Sequence, residues 1–327
     1  MTVQDQGDYG PIKAVPVRHP WRWVAIFVLL VLTAKLIHLL VTNSAFDWHF
    51  ITQAMIQSPV IHGLLVGTIV GSIGAMALGV VLGVLLAIMR LSENRVLSTL
   101  AWAYVWFFRA VPRYVLLALM GQLGVLFPLP NGLGIGLPFG PQIMSSLGMH
   151  GDLAFFHLNP NQIFTGVFAG ILGLGLSEAA YMAEIARAGI LSVDSGQDEA
   201  ACALGMSRRL SMRRIVLPQA MRVIVPPTGN EFIGMTKDTT LMTAIPVGTE
   251  LFFQLSAIGS RTLHIFAVEI AACLWYLIIC SILMYGQMHL ERHFGRGFGA
   301  KKTKKPSAKD QERKAKMLGI TGAGRVN

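Results

Sequence analysis

Charged residues are scarce in this chain: Asp, Glu, Lys and Arg make up 13% of its 327 residues, while 53% are hydrophobic. Soluble domains carry about twice that charge, so an ordinary water-exposed surface is excluded and lipid is the implied solvent. Cysteine is equally sparse. Cys202, Cys273 and Cys280 give neither an even disulfide framework nor a metal-ligand spacing, so no metal site is expected. Two of them lie in an apolar run and one in an Arg-rich segment, where packing roles are expected. No Gly-x-x-x-x-Gly-Lys-Ser/Thr occurs, nor His-Glu-x-x-His, nor Gly-x-Ser-x-Gly. The chain is therefore expected not to be an enzyme and to hold no cofactor of its own. Any work it does must be driven from elsewhere.

Apolar runs are abundant. Trp23–Val41, Leu64–Met89, Val115–Phe127, Val167–Ile190 and Ile265–Met284 each approach, or extend to, the roughly 20 residues of a bilayer-crossing helix. They are continuous rather than alternating, which points to helices and not to barrel strands. A long leader precedes the first run and no small-x-small cleavage pattern follows it, so a retained anchor is expected rather than a cleaved signal.

The Lys and Arg residues orient these spans, because short basic loops stay on the cytoplasmic side. Lys13, Arg18 and Arg22 precede the first run, while Thr42–Gly63 has no Lys or Arg. Arg90 and Arg95 follow the second run, Pro128–Gln162 again has none, and Arg187 to Arg222 supplies a basic segment after the fourth. Pro128–Gln162, rich in Gly and Pro, reads as an irregular external loop with no domain of its own. The last run ends at Glu291–Asn327, which holds eleven Lys/Arg against three acids. A cytoplasmic tail near anionic lipid headgroups fits that placement better than nucleic-acid binding. Charge parity then requires one more crossing within Val223–Leu255, despite Pro226, Pro227, Asn230, Glu231, Lys237 and Asp238. Ionisable groups at that depth must face a bundle interior or a wet path. An all-α polytopic fold with about six spans and both termini inside is expected, with a cytoplasmic helical element between spans four and five.

That element is Ser195–Pro218. Ser195 with Asp198 has the form of a capping box, Gly205 suits a left-handed helix stop, Ser207 can cap a second helix, and Pro218 ends it or opens the next span. Ala200, Ala201 and Ala203 are small enough for close packing against another surface. The same spacing would fit a DNA-binding helix-turn-helix, but short tethers to two spans and the missing remainder of such a domain argue against it. A plain basic loop would explain the Arg residues but not the ordered spacing.

Glu199-Ala200-Ala201, Gly205 and Ile215-Val216-Leu217-Pro218 resemble the EAA signature of the permease subunits of ABC importers, specifically the polar amino acid permeases. Ala180-Tyr181-Met182-Ala183-Glu184, Leu217-Pro218-Gln219-Ala220, Asn230-Glu231 and Lys237-Asp238-Thr239-Thr240-Leu241 are also family-like, and the pattern extends from Gly67 to Arg292. The resemblance implies a type I importer fold divided into 1–22 (cytoplasmic), 23–63 (an extra span and periplasmic loop), 64–292 (the permease proper, with its coupling segment at 192–222) and 293–327 (basic tail). It implies that Gly196, Glu199, Ala200, Ala201, Gly205, Ile215, Leu217 and Pro218 couple the bundle to a soluble ATPase that carries ATP and Mg. It also implies a second permease subunit, identical or similar, a periplasmic or extracellular solute-binding protein, a bacterial inner-membrane location and a small polar solute such as an amino acid. Nucleic acid is not among the implied partners.

Within the spans, Ser177, Tyr181, Glu184 and Ala188 fall on one face of the fourth helix, and Asn230, Gly234 and Lys237 or Asp238 on one face of the fifth. With Arg109 these polar residues are candidates for the solute path. Glu184 is expected to pair with Arg109 or Lys237, and a structural ion pair explains it as well as transport does. Pro226 and Pro227 should break the fifth helix near its cytoplasmic end. Phe108-Arg109-Ala110-Val111-Pro112-Arg113 departs from the family's usual Phe-Arg-Gly-Thr-Pro in Ala110, Val111 and the second cation, Arg113. An ion-coupled secondary transporter working through Glu184 and Asp238 is the alternative, since intramembrane carboxylates permit it.

Overall fold

The computed structural model describes residues 20–122, 133–136, 139–148, 154–158, 166–245 and 247–294. The N-terminal residues before Pro20, much of the Pro128–Gln162 stretch and the basic tail from residue 295 lie outside that set. Helix α1 (Pro20–Thr42) has no buried residue and is largely apolar all round. After the short α2 (Trp48–Met55), α3 runs from Ser58 to Arg90 through a π segment at Leu64–Val70.

Helix α7 (Gly166–Leu191) packs along α3 in the most extensive helix pair of the described residues. Sequence explains why. Gly67, Gly71, Ala75, Gly79, Gly83 and Ala87 recur every four residues on α3 and are all buried. From α7, Gly175, Ala179 and Ala183 meet the stretch from Ala75 to Gly83, whereas Gly170 and Gly173 face Met242 and Leu117. Such small residues bring two backbones together where dispersion, and not the hydrophobic effect, drives association in lipid. A Cβ on Gly83 would come within 3.0 Å of the Ala179 carbonyl oxygen and the Ala183 nitrogen.

The third span is two helices. α4 (Arg95–Ala110) and α5 (Arg113–Gly121) meet at 97°. Val111, extended at φ −92° and ψ 131°, and Pro112 make the corner, because proline excludes the helical conformation from the residue before it. The stretch expected to be an irregular loop carries local order: β1 (Leu133–Gly136) pairs antiparallel with β2 (Ala154–Leu158), with α6 (Gly140–Ser146) between them.

Beyond α7, α8 (Ser195–Ala203) and α9 (Arg208–Ser211) form a hairpin, and a π segment at Met212–Val216 leads into α10 (Leu217–Asp238). The two internal prolines do not break α10, contrary to expectation. Pro226 and Pro227 withhold two N–H groups from the ladder, which leaves the Arg222 and Val223 carbonyls without their helical donors; nearby, Gln287 Nε2 donates to the Pro226 carbonyl at 2.8 Å and Thr228 Oγ1 to Ile224 O at 2.8 Å, and the first of these ties α10 to the last helix. A 3-10 turn (Thr239–Ala244) connects to α11 (Leu251–Thr262), a separate helix that begins inside the Val223–Leu255 stretch expected to hold the fifth crossing, and α12 (Ile265–Phe294) completes the bundle. Glu250 ties these parts together. Fully buried, it caps α11 by accepting from Phe253 N at 3.0 Å, and it accepts from Tyr276 Oη of α12 at 2.6 Å and Thr68 Oγ1 of α3 at 3.1 Å.

Among the described residues four helices are long and apolar enough to cross a membrane: α1, α3, α7 and α12; the bent α4–α5 pair makes a fifth candidate. The fold is an all-α polytopic bundle apart from the small β1–β2 ribbon. Of the cysteines only Cys280 is packed as expected; Cys202 and Cys273 are exposed.

Candidate functional site

Two features stand out as functional: a polar cluster inside the bundle and the helical hairpin at one end of it. The bend at Pro112 turns Arg113 inward, so that the first side chain of α5 reaches both α7 and α10. Its Nη2 lies 2.8 Å from Glu178 Oε2, its Nη1 2.5 Å from Asp238 Oδ2, and Glu231 Oε2 is 3.9 Å away. Its guanidinium also stacks 4.6 Å from the centre of the Tyr181 ring. Glu178 has no exposed surface, and its Oε1 has no hydrogen-bond partner. Glu231 and Asp238 each keep a third of their side-chain surface open. One guanidinium thus bridges three carboxylates and ties α5, α7 and α10 together.

The cluster gathers only some of the residues expected on the solute path. Asp238 belongs to it, but its partner is Arg113, the residue that departs from the family pattern. Lys237 points the other way, exposed, toward a cavity of about 670 Å³ shared with Glu269, Cys273, Tyr276 and Cys280. Asn230 is exposed too, and among the described residues nothing lies within 4 Å of a Cβ on Gly234.

Glu184 meets neither Arg109 nor Lys237. It accepts from Arg187, one turn on, at 3.0 and 2.7 Å and lies 3.5 Å from Arg90. A turn of helix and the end of α3 place these cations closer than either expected partner. Arg109 instead lies 5.6 Å from the Tyr181 ring centre, in a cleft of about 520 Å³ with Trp102, Trp106, Glu184 and Arg187. The expected stripe on α7 is uneven: Ser177 is buried with an unpartnered hydroxyl, Tyr181 and Glu184 are half-buried, and Ala188 is exposed. Because α3, α4, α5 and α10 all pack on α7, burial there follows the neighbours rather than one face. Glu178, one residue from Ser177, escaped the stripe for that reason.

In the hairpin the cap lies one residue earlier than the capping box predicts. Asp194 Oδ1 accepts from Gly196 N at 2.8 Å, while Asp198 accepts from Ser211 Oγ at 2.5 Å and so clamps α8 to α9. Gly205 has φ +79°, as expected, with its N–H on Cys202 O at 2.9 Å and Met206 N–H on Ala201 O at 3.0 Å. That is a Schellman turn, which needs the left-handed conformation glycine adopts freely. Ser207 stands at the start of α9 but makes no side-chain cap bond. Pro218 opens α10. Ala201 and Val216 are buried at the base, Ile215 is half-buried, and Gly196, Glu199, Ala200, Ala203, Gly205, Leu217 and Pro218 are exposed. Leu204, at the tip, is 83% exposed.

Residues 79–296 match the family described as binding-protein-dependent transport system inner membrane component. The chain is 41% identical over 292 residues to the arginine transport system permease protein ArgU of Corynebacterium glutamicum, covering 88% of this chain and 84% of the relative. It is 31% identical to a probable glutamine ABC transporter permease protein, GlnM, of Bacillus subtilis, over 65% of this chain and 82% of that one. Among solved structures it is similar to an amino acid ABC transporter crystallised with histidines, at a TM-score of 0.54 and 28% identity, covering 72% of this chain and 94% of the other.

Proposed function

Because this chain belongs to the family of inner membrane components of binding-protein-dependent transport systems, we propose that it is the permease of an ATP-driven amino acid importer and crosses the cytoplasmic membrane six times. The six spans are α1, α3, the bent α4–α5 pair, α7, α10 and α12, with both termini inside. α10 is the least apolar of these, and its charged residues are tolerated because the bundle partners Glu231 and Asp238 with Arg113.

The hairpin is the observation that carries the coupling role. Its turn is locked by Gly205 and the Asp198–Ser211 bond, its base is packed, and its tip presents Ala200, Ala203 and Leu204 to a partner. A rigid lever of this kind transmits closure of two ATPase subunits, which bind ATP and Mg, to α7 and α10 on either side. A second permease subunit, identical or similar, completes the pathway, and a solute-binding protein delivers solute from outside. The solutes in the relatives' names, arginine and glutamine, support an amino acid as cargo. Family membership also favours this reading over the ion-coupled alternative. The test is purification of the chain in mild detergent with its associated soluble proteins, beside a Leu204→Glu variant. A P-loop ATPase bound to the native chain and lost from the variant is expected; an ATPase retained equally by both would remove the hairpin as the docking site.

A further inference from the structure

Three arginines crowd one cleft of the bundle. Arg90, the last residue of α3, Arg109, near the end of α4, and Arg187, one turn before the end of α7, line a cavity of about 520 Å³ that holds a single carboxylate, Glu184. That carboxylate is already engaged: its Oε2 accepts from Arg187 at 3.0 and 2.7 Å, and its Oε1 lies 3.5 Å from Arg90 Nη2. Among the described residues Arg109 has no carboxylate partner and lies against the Tyr181 ring. Like charges gathered in one cleft repel one another unless an anion sits among them. The aromatic wall tells where that anion would come from. Trp102 and Trp106, one turn apart on α4, stack at 6.2 Å and 12° between planes, yet are 51% and 61% exposed. Such amphipathic rings collect at the boundary between lipid and water. Helix length agrees, because the 26 residues of α7 span about 39 Å, more than a hydrocarbon core of about 30 Å, so that Arg187 near its end falls at headgroup depth.

We propose that this cleft binds the phosphate of an anionic phospholipid, whose glycerol and acyl chains lie along Trp102 and Trp106. Guanidinium forks match phosphate oxygens in shape and charge, and basic pockets between membrane helices are suited to acidic headgroups. The shared chemistry is a phosphate, which a soluble ester also carries. A free phosphate, however, leaves the apolar faces of the two tryptophans uncovered, whereas a lipid covers them. Glu184 acts here as the resident competitor: it holds Arg187 and Arg90, so Arg109 meets the headgroup first. The inference takes Arg109 and Glu184 out of the expected solute path and stands whichever solute is carried.

The experiment uses the full chain with whatever subunits co-purify in mild detergent, titrated with dioleoyl phosphatidylglycerol or dioleoyl phosphatidylcholine and read by native mass spectrometry. Phosphatidylglycerol should bind more tightly than phosphatidylcholine by about tenfold. Arg109→Gln and Arg187→Gln should each weaken it by about tenfold, while Arg261→Gln, at the exposed end of α11, should leave it unchanged. Glu184→Gln should tighten it severalfold, because the competing carboxylate is gone; a merely structural ion pair predicts no such gain. Melting curves in phosphatidylcholine nanodiscs check that each variant folds. Transfer to phosphatidylglycerol nanodiscs should then raise the melting temperature of the native protein and not that of Arg109→Gln. Displacement of the lipid by millimolar glycerol 3-phosphate would assign the arginines to a soluble phosphate, and displacement by millimolar L-arginine would return them to the solute path. A loss in Arg261→Gln equal to that in Arg109→Gln would reduce the preference to net charge. Each of these three results overturns the proposal, as does equal binding of the two lipids.

Discussion

Glu250 shows how much one buried side chain can hold. It accepts from the α11 backbone, from Tyr276 on α12 and from Thr68 at the π segment of α3. Replacing it with alanine would strand buried donors on two other helices, at a cost of about 1–3 kcal/mol each. Glu250→Ala should therefore lower the melting temperature of the detergent-solubilised protein by several degrees, and Glu250→Gln, which keeps an acceptor, by less. Equal losses in the two variants would mean that its hydrogen bonds are not what stabilise the junction. At this scale the sequence was partly legible. Asp238 and the departure at Arg113 were both visible, and their pairing was not, because it depends on a 97° turn at Pro112 that no local pattern quantifies. Glu178 was hidden by its neighbour Ser177, on which the helical stripe was drawn.

Between helices, the four-residue repeat of small side chains on α3 sets how closely α7 approaches. Gly83→Leu should reduce folded yield and melting temperature sharply, since even a Cβ meets backbone there. Gly286→Ala on α12 is the matched control: nothing lies within 4 Å of its added carbon, and alanine favours the helix. A size-exclusion profile and a melting curve for each variant check the contrast. The small residues from Ala75 to Gly83 could have been read from the sequence and would have named the α3–α7 pair, while Gly67 and Gly71 of the same repeat face Glu250 and Met242. The contact that ties the proline turn of α10 to α12 could not, because it joins Pro226 to Gln287, 61 residues away. The hairpin was the most legible element, since caps and a left-handed glycine are local chemistry; only its cap, Asp194 in place of Ser195, fell one residue off.

Over the whole molecule, charge parity and apolar runs gave the helices and their order, and α1 stands apart from the bundle they form. None of its residues is buried, and its described polar tie to the rest is Trp48 Nε1 on Leu40 O at 2.8 Å. A chain beginning at Asn43 should therefore keep its bundle and its ATPase, read by co-purification and an unchanged melting curve. Loss of both would show that α1 is a structural part of the permease. The central claim, that the α8–α9 hairpin is where an ATPase docks, has a native reporter in Cys202, exposed on α8. The decisive measurement is thiol cross-linking from Cys202 in native membranes, in a Cys273→Ser background, with the adduct identified by mass spectrometry. The account predicts a P-loop ATPase in that adduct, absent when Cys202 is replaced by serine; an adduct without any ATPase, or one that persists without Cys202, would contradict it.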